Sequence, residues 1–261
     1  MDLHYHLTND LKRLRMPGMI ENLDLRIKEA SEGEYSYLEF FQLLVQDEIA
    51  NREANNLAKR LKAANLSNRC TFENFDFRFN ERVLPPKTIR DLATCRFLTH
   101  NSNIILCGPP GIGKSHIVQA IGHEVCRRGS EALFIKTHKL LEQLSDDQYP
   151  RRAARLWKRL RSVGALILDD FAFRRYETSE AELLYAICDE RLGNGSIILT
   201  SNRPAEDWYS VFPDPVIGGG VLDRLASPAI KLIVENGRSY RKEGPQSSHS
   251  REKTAPEDET S

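Results

Sequence analysis

The chain has 261 residues, 37 Lys/Arg against 37 Asp/Glu, and 40% apolar residues. That length accommodates one large or two modest domains with a real core. No window approaches the ~18 apolar residues of a membrane helix and no signal-peptide segment opens the chain, so a cytoplasmic location without a membrane partner is expected. The balanced total hides a bias, because residues 85–242 carry 23 basic and 18 acidic side chains. A surplus of that size argues for a polyanion partner only where it is clustered. Cys70, Cys95, Cys107, Cys126 and Cys188 are scattered and lack C-x-x-C spacing. They are expected to be reduced thiols rather than disulfides or zinc ligands.

In chain order, Leu3, Leu7, Leu11 and Leu14 recur at helical spacing and predict a first helix with one apolar stripe. Pro17-Gly18 interrupts it. A second helix is predicted over Met19–Ala30, with Ile20, Leu23 and Ile27 on one face. Ser36 can cap a third, with Glu39 as capping-box partner, running to Ala64. Residues 1–66 thus read as a small helical domain, either a plain cap or an interaction module. From Cys70 to Pro86 the chain alternates aromatic and polar residues (FENFDFRF) and reads as a linker or edge strand. Residues 88–242 then alternate strand-like and helix-like segments, the pattern of an α/β domain with a parallel sheet, whose bounds are set at 67–242. Strands are predicted at 103–107, 132–136, 165–169, 196–201 and 230–234. A helix is predicted over Ser179–Leu192, capped by Ser179 with Glu182. Residues 243–261 contain no aliphatic core former and read as a disordered tail.

Residues 108–115 read GPPGIGKS, matching G-x-x-x-x-G-K-[ST] between an apolar strand and a helix-compatible stretch. The glycines let backbone N–H groups turn toward phosphates, and the following helix adds its positive end. Lys114 can reach β- and γ-phosphates, and the Ser115 hydroxyl can ligate Mg2+. Such a loop needs a carboxylate at the end of a neighbouring parallel strand, and LILDDFAF (Leu166–Phe173) supplies two. Asp169, first after the apolar run, is the candidate on the metal side. Asp170 points the other way if strand geometry persists, where it can orient or deprotonate the attacking water. Asn202, at the tip of IILTSN, can hydrogen-bond that water or the γ-phosphate.

Arg224, in VLDRLASPA, has two readings: a surface residue paired with Asp223, or an arginine finger serving a neighbouring subunit's nucleotide. Residues 151–161, RRAARLWKRLR, hold six Lys/Arg and no acid. Ala153, Leu156, Trp157 and Leu160 form a core-facing stripe, leaving Arg151, Arg152, Arg155, Lys158 and Arg159 outside it. Lys136 and Lys139 could extend the patch. A solvated face is the plain reading; unmixed sign suits a DNA phosphate backbone, contacted without sequence readout.

GPPGIGKSH, LILDDFAF, LTSNRPAEDW, FPDPVIGGGVLDRL and GRSYR resemble, in order and spacing, the IstB-like ATPases, helpers of insertion-sequence transposases and relatives of DnaC-type helicase loaders. The resemblance extends to the helical N-terminus and covers the chain to about Arg241. It implies an AAA+ domain with a five-stranded parallel sheet, ATP and Mg2+ as ligands, and Gly108, Pro109, Pro110, Gly111, Ile112, Gly113, Lys114, Ser115 and His116 around the phosphates. It places Phe75 to Phe77 by the adenine, makes Asn202 the first sensor and Arg224 the finger, and turns a helical insert over about 138–161 toward DNA. The implied activity is ATP-dependent assembly of a homo-oligomer on DNA that recruits or activates a transposase. Asp170, shared with some IstB-like sequences, stands where many AAA+ proteins carry Glu, and Ala172 stands where the family usually has Gly. The shorter Asp170 side chain predicts slow turnover, stimulated by DNA or partner. Arg241 is a further candidate phosphate sensor. The competing readings are a helicase loader, an ATP-gated scaffold that barely hydrolyses, and a small-molecule kinase, which would have no use for Asn202 and Arg224.

Overall fold

The computed structural model describes residues 3–33 and 35–243. The expected tail lies outside them except for Glu243. The chain divides into two units, residues 1–60 and 61–261.

In the first unit, α1 (Leu3–Arg13) and α2 (Pro17–Glu32) precede α3 (Tyr37–Ala64), which runs on past the division. The capping box of α3 forms as the spacing predicts: Ser36 N donates to Glu39 at 2.7 Å, and Glu39 N donates back to Ser36 Oγ at 3.3 Å. α2 begins at Pro17 rather than Met19, because proline needs no hydrogen-bond partner in a first turn. Gly18 permits the approach to α3, since a Cβ there would lie 2.6 Å from the Asp47 carbonyl. Its N–H is taken by Glu48 at 2.8 Å. The predicted stripe is only partly used. Leu11 is buried with Met19, Leu23 and Leu44, whereas Leu3, Leu7 and Leu14 are exposed.

In the second unit, α4 (Pro86–Ala93) leads into β1 (Asn103–Cys107), followed by α5 (Lys114–Arg127), β2 (Ala132–Lys136), α6 (Thr137–Leu144), α7 (Pro150–Ser162), β3 (Ala165–Asp169), α8 (Thr178–Arg191), β4 (Ser196–Ser201), α9 (Pro215–Ala226), β5 (Ala229–Ile233) and α10 (Tyr240–Glu243). The five strands pair in parallel in the order β2-β3-β4-β1-β5. β1, β3 and β4 are buried along their whole length, which is why their sequences are apolar runs without alternation. β5 lies at the edge and is half exposed.

Several boundaries differ from expectation. Of the two readings of FENFDFRF, the linker holds and the edge strand does not: the segment forms turns. Asp76 accepts the backbone N–H groups of Arg78 and Phe79 at 2.9 and 3.3 Å, folding the segment on itself. The capping residues of α8 are Glu177 and Glu180, with Glu177 N donating to the Glu180 carboxylate at 2.9 Å, two residues earlier than Ser179 and Glu182. The insert over 138–161 is two helices, since Pro150 cannot sit inside one and starts α7 instead. All five cysteines are free thiols, and burial pushes the Cys107 thiol up to about 11. Among the described residues no helix is long and apolar enough to cross a membrane.

Candidate nucleotide site

In a parallel sheet the loops after the strands gather at one end, and a crevice opens where the strand order reverses. Here β1 sits between β4 and β5, so the loop 108–113 emerges beside the ends of β4 and β3. A cavity of about 550 Å3 lies there, lined by Pro110 to His116, Lys136, Asp169, Asp170 and Asn202 at the phosphate end. Phe75, Phe79, Asn80, Tyr240 and Arg241 close the rest. Its size suits a nucleotide.

The loop is shaped by glycine. Gly111 and Gly113 hold φ of 86° and 106°, a region costly for residues with a Cβ. A Cβ on Gly111 would also lie 2.2 Å from Ser239 Oγ. Lys114 opens α5 and is buried; its Nζ donates to the Gly108 and Pro109 carbonyls at 2.7 and 2.9 Å and to Asn202 Oδ1 at 2.7 Å. Burial pushes its ammonium down to about 8, against the pull of Asp169 and Asp170. Gly108 and Pro109 thus serve through their carbonyls and do not line the cavity.

Asp169 ends β3, only 3% exposed, and its Oδ1 accepts from Ser115 Oγ at 2.7 Å and Thr200 Oγ1 at 2.6 Å. Asp170 does not continue the strand: its φ is 58°. The turn swings its carboxylate onto Lys136 Nζ at 2.9 Å and toward Asn202 Nδ2 at 3.4 Å. Lys136 is therefore part of this site, not an extension of the basic patch. Lys136, Asp170, Asn202 and Lys114 form one chain of alternating donors and acceptors across the cavity mouth. Among the described residues no cluster of three or more His, Cys, Asp and Glu could hold a metal by itself. One serine hydroxyl beside one carboxylate is instead the donor set for an Mg2+ that arrives on phosphates, so the residues fit that ion.

Phe75 lines the cavity beside Gly113 and meets the His116 ring at 5.3 Å between centroids. Phe77 packs behind it on Phe75 at 5.0 Å and does not line the cavity; Phe79 does, with Tyr240 against it at 4.9 Å. His116 is anchored on the Thr71 carbonyl at 2.8 Å. The GRSYR segment crosses the loop, with Tyr240 N donating to the Gly111 carbonyl at 2.9 Å, which brings Arg241 to the cavity wall.

Residues 9–248 match the family of IstB-like ATP binding proteins. The chain belongs to that family. It is 40% identical over 236 residues to an insertion-sequence ATP-binding protein of Mycobacterium tuberculosis, covering 90% of this chain and 93% of that one. It is 33% identical to the ATP-binding protein of insertion sequence IS21 from Pseudomonas aeruginosa, covering 88% and 86%. Among solved structures, the DnaC helicase loader shares the fold with a TM-score of 0.56 at 20% identity, covering 64% of this chain and 99% of that one. Domain III of Thermotoga maritima DnaA gives 0.55 at 22% identity, covering 72% and 76%. The sheet and its helices thus have the fold of these DnaC and DnaA domains.

Two parts of this IstB-like chain lie apart from the cavity lining. Arg224, on α9, pairs with Asp189 at 2.8 Å rather than Asp223, donates to the Tyr185 hydroxyl at 2.9 Å and stacks over its ring at 4.4 Å. On the basic patch, Lys139 (α6) and Arg151, Arg152, Arg155 and Lys158 (α7) are exposed, and none has an acid partner among the described residues. Arg159 departs from the expected outward set: its guanidinium donates to the Ala63 carbonyl. Lys136 and Thr200 are the site residues that the motifs did not single out. Lys136 ends an ordinary-looking strand, ALFIK, and only its register opposite Asp169 reveals it.

Proposed function

We propose that this protein is a DNA-binding AAA+ ATPase that assembles as a homo-oligomer on DNA and there recruits or activates a transposase. The carrying observation is the gathering of Lys114, Ser115, Asp169, Asp170 and Asn202 around one nucleotide-sized cavity. Lys114 would hold the β- and γ-phosphates and Ser115 with Asp169 would hold Mg2+. When bound, Mg2+ supplies charge neutralisation on the phosphate oxygens. Asn202 orients the attacking water. Asp170 takes its proton as the oxygen bonds to the γ-phosphorus and the bond to the bridging oxygen breaks, leaving ADP. The unpaired cations of α6 and α7 support the DNA side, since they offer phosphate contacts without base-reading amides. The insertion-sequence relatives support a transposase as partner over a replicative helicase.

A second reading, an ATP-gated scaffold, draws on the ion pair between Asp170 and Lys136, which occupies the candidate base. Two measurements test the pair of readings together. Binding to unrelated duplexes, followed by fluorescence anisotropy, should be tighter with ATP than ADP and indifferent to sequence. Phosphate release should fall at least about tenfold in Asp170→Asn with ATP affinity kept. Equal release by wild type and variant turns the reading to the scaffold, and no DNA binding with either nucleotide overturns it.

A further inference from the structure

Thr200 lies in β4, one strand away from the loop 108–113, and its side chain is 1% exposed. Its hydroxyl donates to Asp169 Oδ1 at 2.6 Å and accepts the backbone N–H of Asp170 at 3.1 Å. Its carbonyl accepts the N–H of Phe171 at 2.8 Å. One residue thereby touches three consecutive residues of LILDDFAF. Ser115 donates to the same oxygen of Asp169, so both hydroxyls converge on Oδ1 and Oδ2 receives no side-chain donor among the described residues.

We infer that Thr200 is a positioning residue for both acids: it orients Asp169 toward the metal and holds the turn that aims Asp170. The inference rests on the ATP reading above. A carboxylate this buried needs hydrogen-bond donors, and among the described residues no Lys or Arg is bonded to it; two hydroxyls supply that need. The donors also choose which oxygen is occupied, and so which remains for an incoming ion and its waters. Outer-shell partners that orient a ligating carboxylate typically change metal affinity about 10–100-fold when removed. The N–H contact adds a geometric link, because Asp170 departs from the strand at its own amide.

Thr200→Val keeps the shape of the side chain and removes the hydroxyl. Titration calorimetry with ATP in Mg2+ and in EDTA reads the effect directly. The variant should bind ATP in EDTA within about twofold of wild type and lose at least about tenfold of the tightening that Mg2+ brings. Thr200→Ser should retain that tightening. Equal weakening with and without Mg2+, or no change in either, overturns the inference. If the valine variant does not fold, Thr200→Ser against Thr200→Cys makes the same comparison between a strong and a weak donor, and equal Mg2+ dependence overturns it. Wild type failing to bind ATP in both conditions overturns the ATP reading instead, which keeps the two failures distinct.

Discussion

Asp170 and Ala172 both hold left-handed backbone, with φ of 58° and 56°. Each costs about 1 kcal/mol for a residue with a Cβ, and such turns persist where the surroundings impose them. Here β4 does so. Phe171 N is tied to the Thr200 carbonyl, the Phe171 carbonyl to Ser201 Oγ, Ala172 N to the Tyr176 hydroxyl and the Ala172 carbonyl to Arg203 Nε. Two adjacent acids can therefore face different jobs, because the chain turns between them. Ala172→Gly should fall within about 1 kcal/mol of wild type in thermal or urea unfolding, as relief of strain offsets the lost buried methyl. Ala172→Val, branched at Cβ in the same conformation, should cost more than about 2 kcal/mol.

At the scale of elements, the basic helix α7 is held from behind by a residue that its own sequence does not contain. Arg191, at the end of α8 and 3% exposed, donates to the carbonyls of Leu160, Val163, Gly164 and Ser196, with no acid partner among the described residues. It ties the end of α7 to the starts of β3 and β4, and burial pushes its guanidinium down to about 10. Arg191→Met removes these hydrogen bonds, leaving the Gly164 carbonyl only the Ser196 N–H, and should cost about 3 kcal/mol or more, read as a fall of about 6–12 °C in Tm. The outer face of α7 should answer differently. Replacing Arg151, Arg155 and Lys158 by Ala should leave Tm near wild type. It should weaken unrelated DNA sequences equally and reduce the slope of log affinity against log salt by about 2–3. A sequence-dependent loss would contradict backbone recognition.

For the whole molecule, every cavity residue belongs to the second unit, residues 61–261. A chain starting at Leu61 should accordingly bind ATP within about threefold of the full chain by calorimetry. Arg224 is absent from the lining of its own chain's cavity, so the proposed finger would serve the nucleotide of another copy. Arg224→Ala keeps a phosphate loop without a finger, and Lys114→Ala keeps a finger without a working loop. Mixed in equal amounts, the two should release phosphate faster than the sum of each alone. A merely additive rate would show that Arg224 works only in its pairing with Asp189.

What could be read from the sequence was whatever a short stretch of chain carries by itself. The loop 108–115, the apolar runs of β1, β3 and β4 and the Ser36–Glu39 cap are local signals, because a buried parallel strand and a phosphate loop must spell themselves out within a few residues. The family resemblance follows from several such stretches in order. Tertiary structure decided the partners. Lys136 faces Asp170 only because β2 pairs with β3 in one register, Thr200 reaches Asp169 only because β4 pairs with β3, and Arg224 prefers Asp189 on α8 to its neighbour Asp223. Those contacts join residues 31 to 35 positions apart in the chain. Side-chain periodicity states which face a residue takes, but not what another element brings to that face.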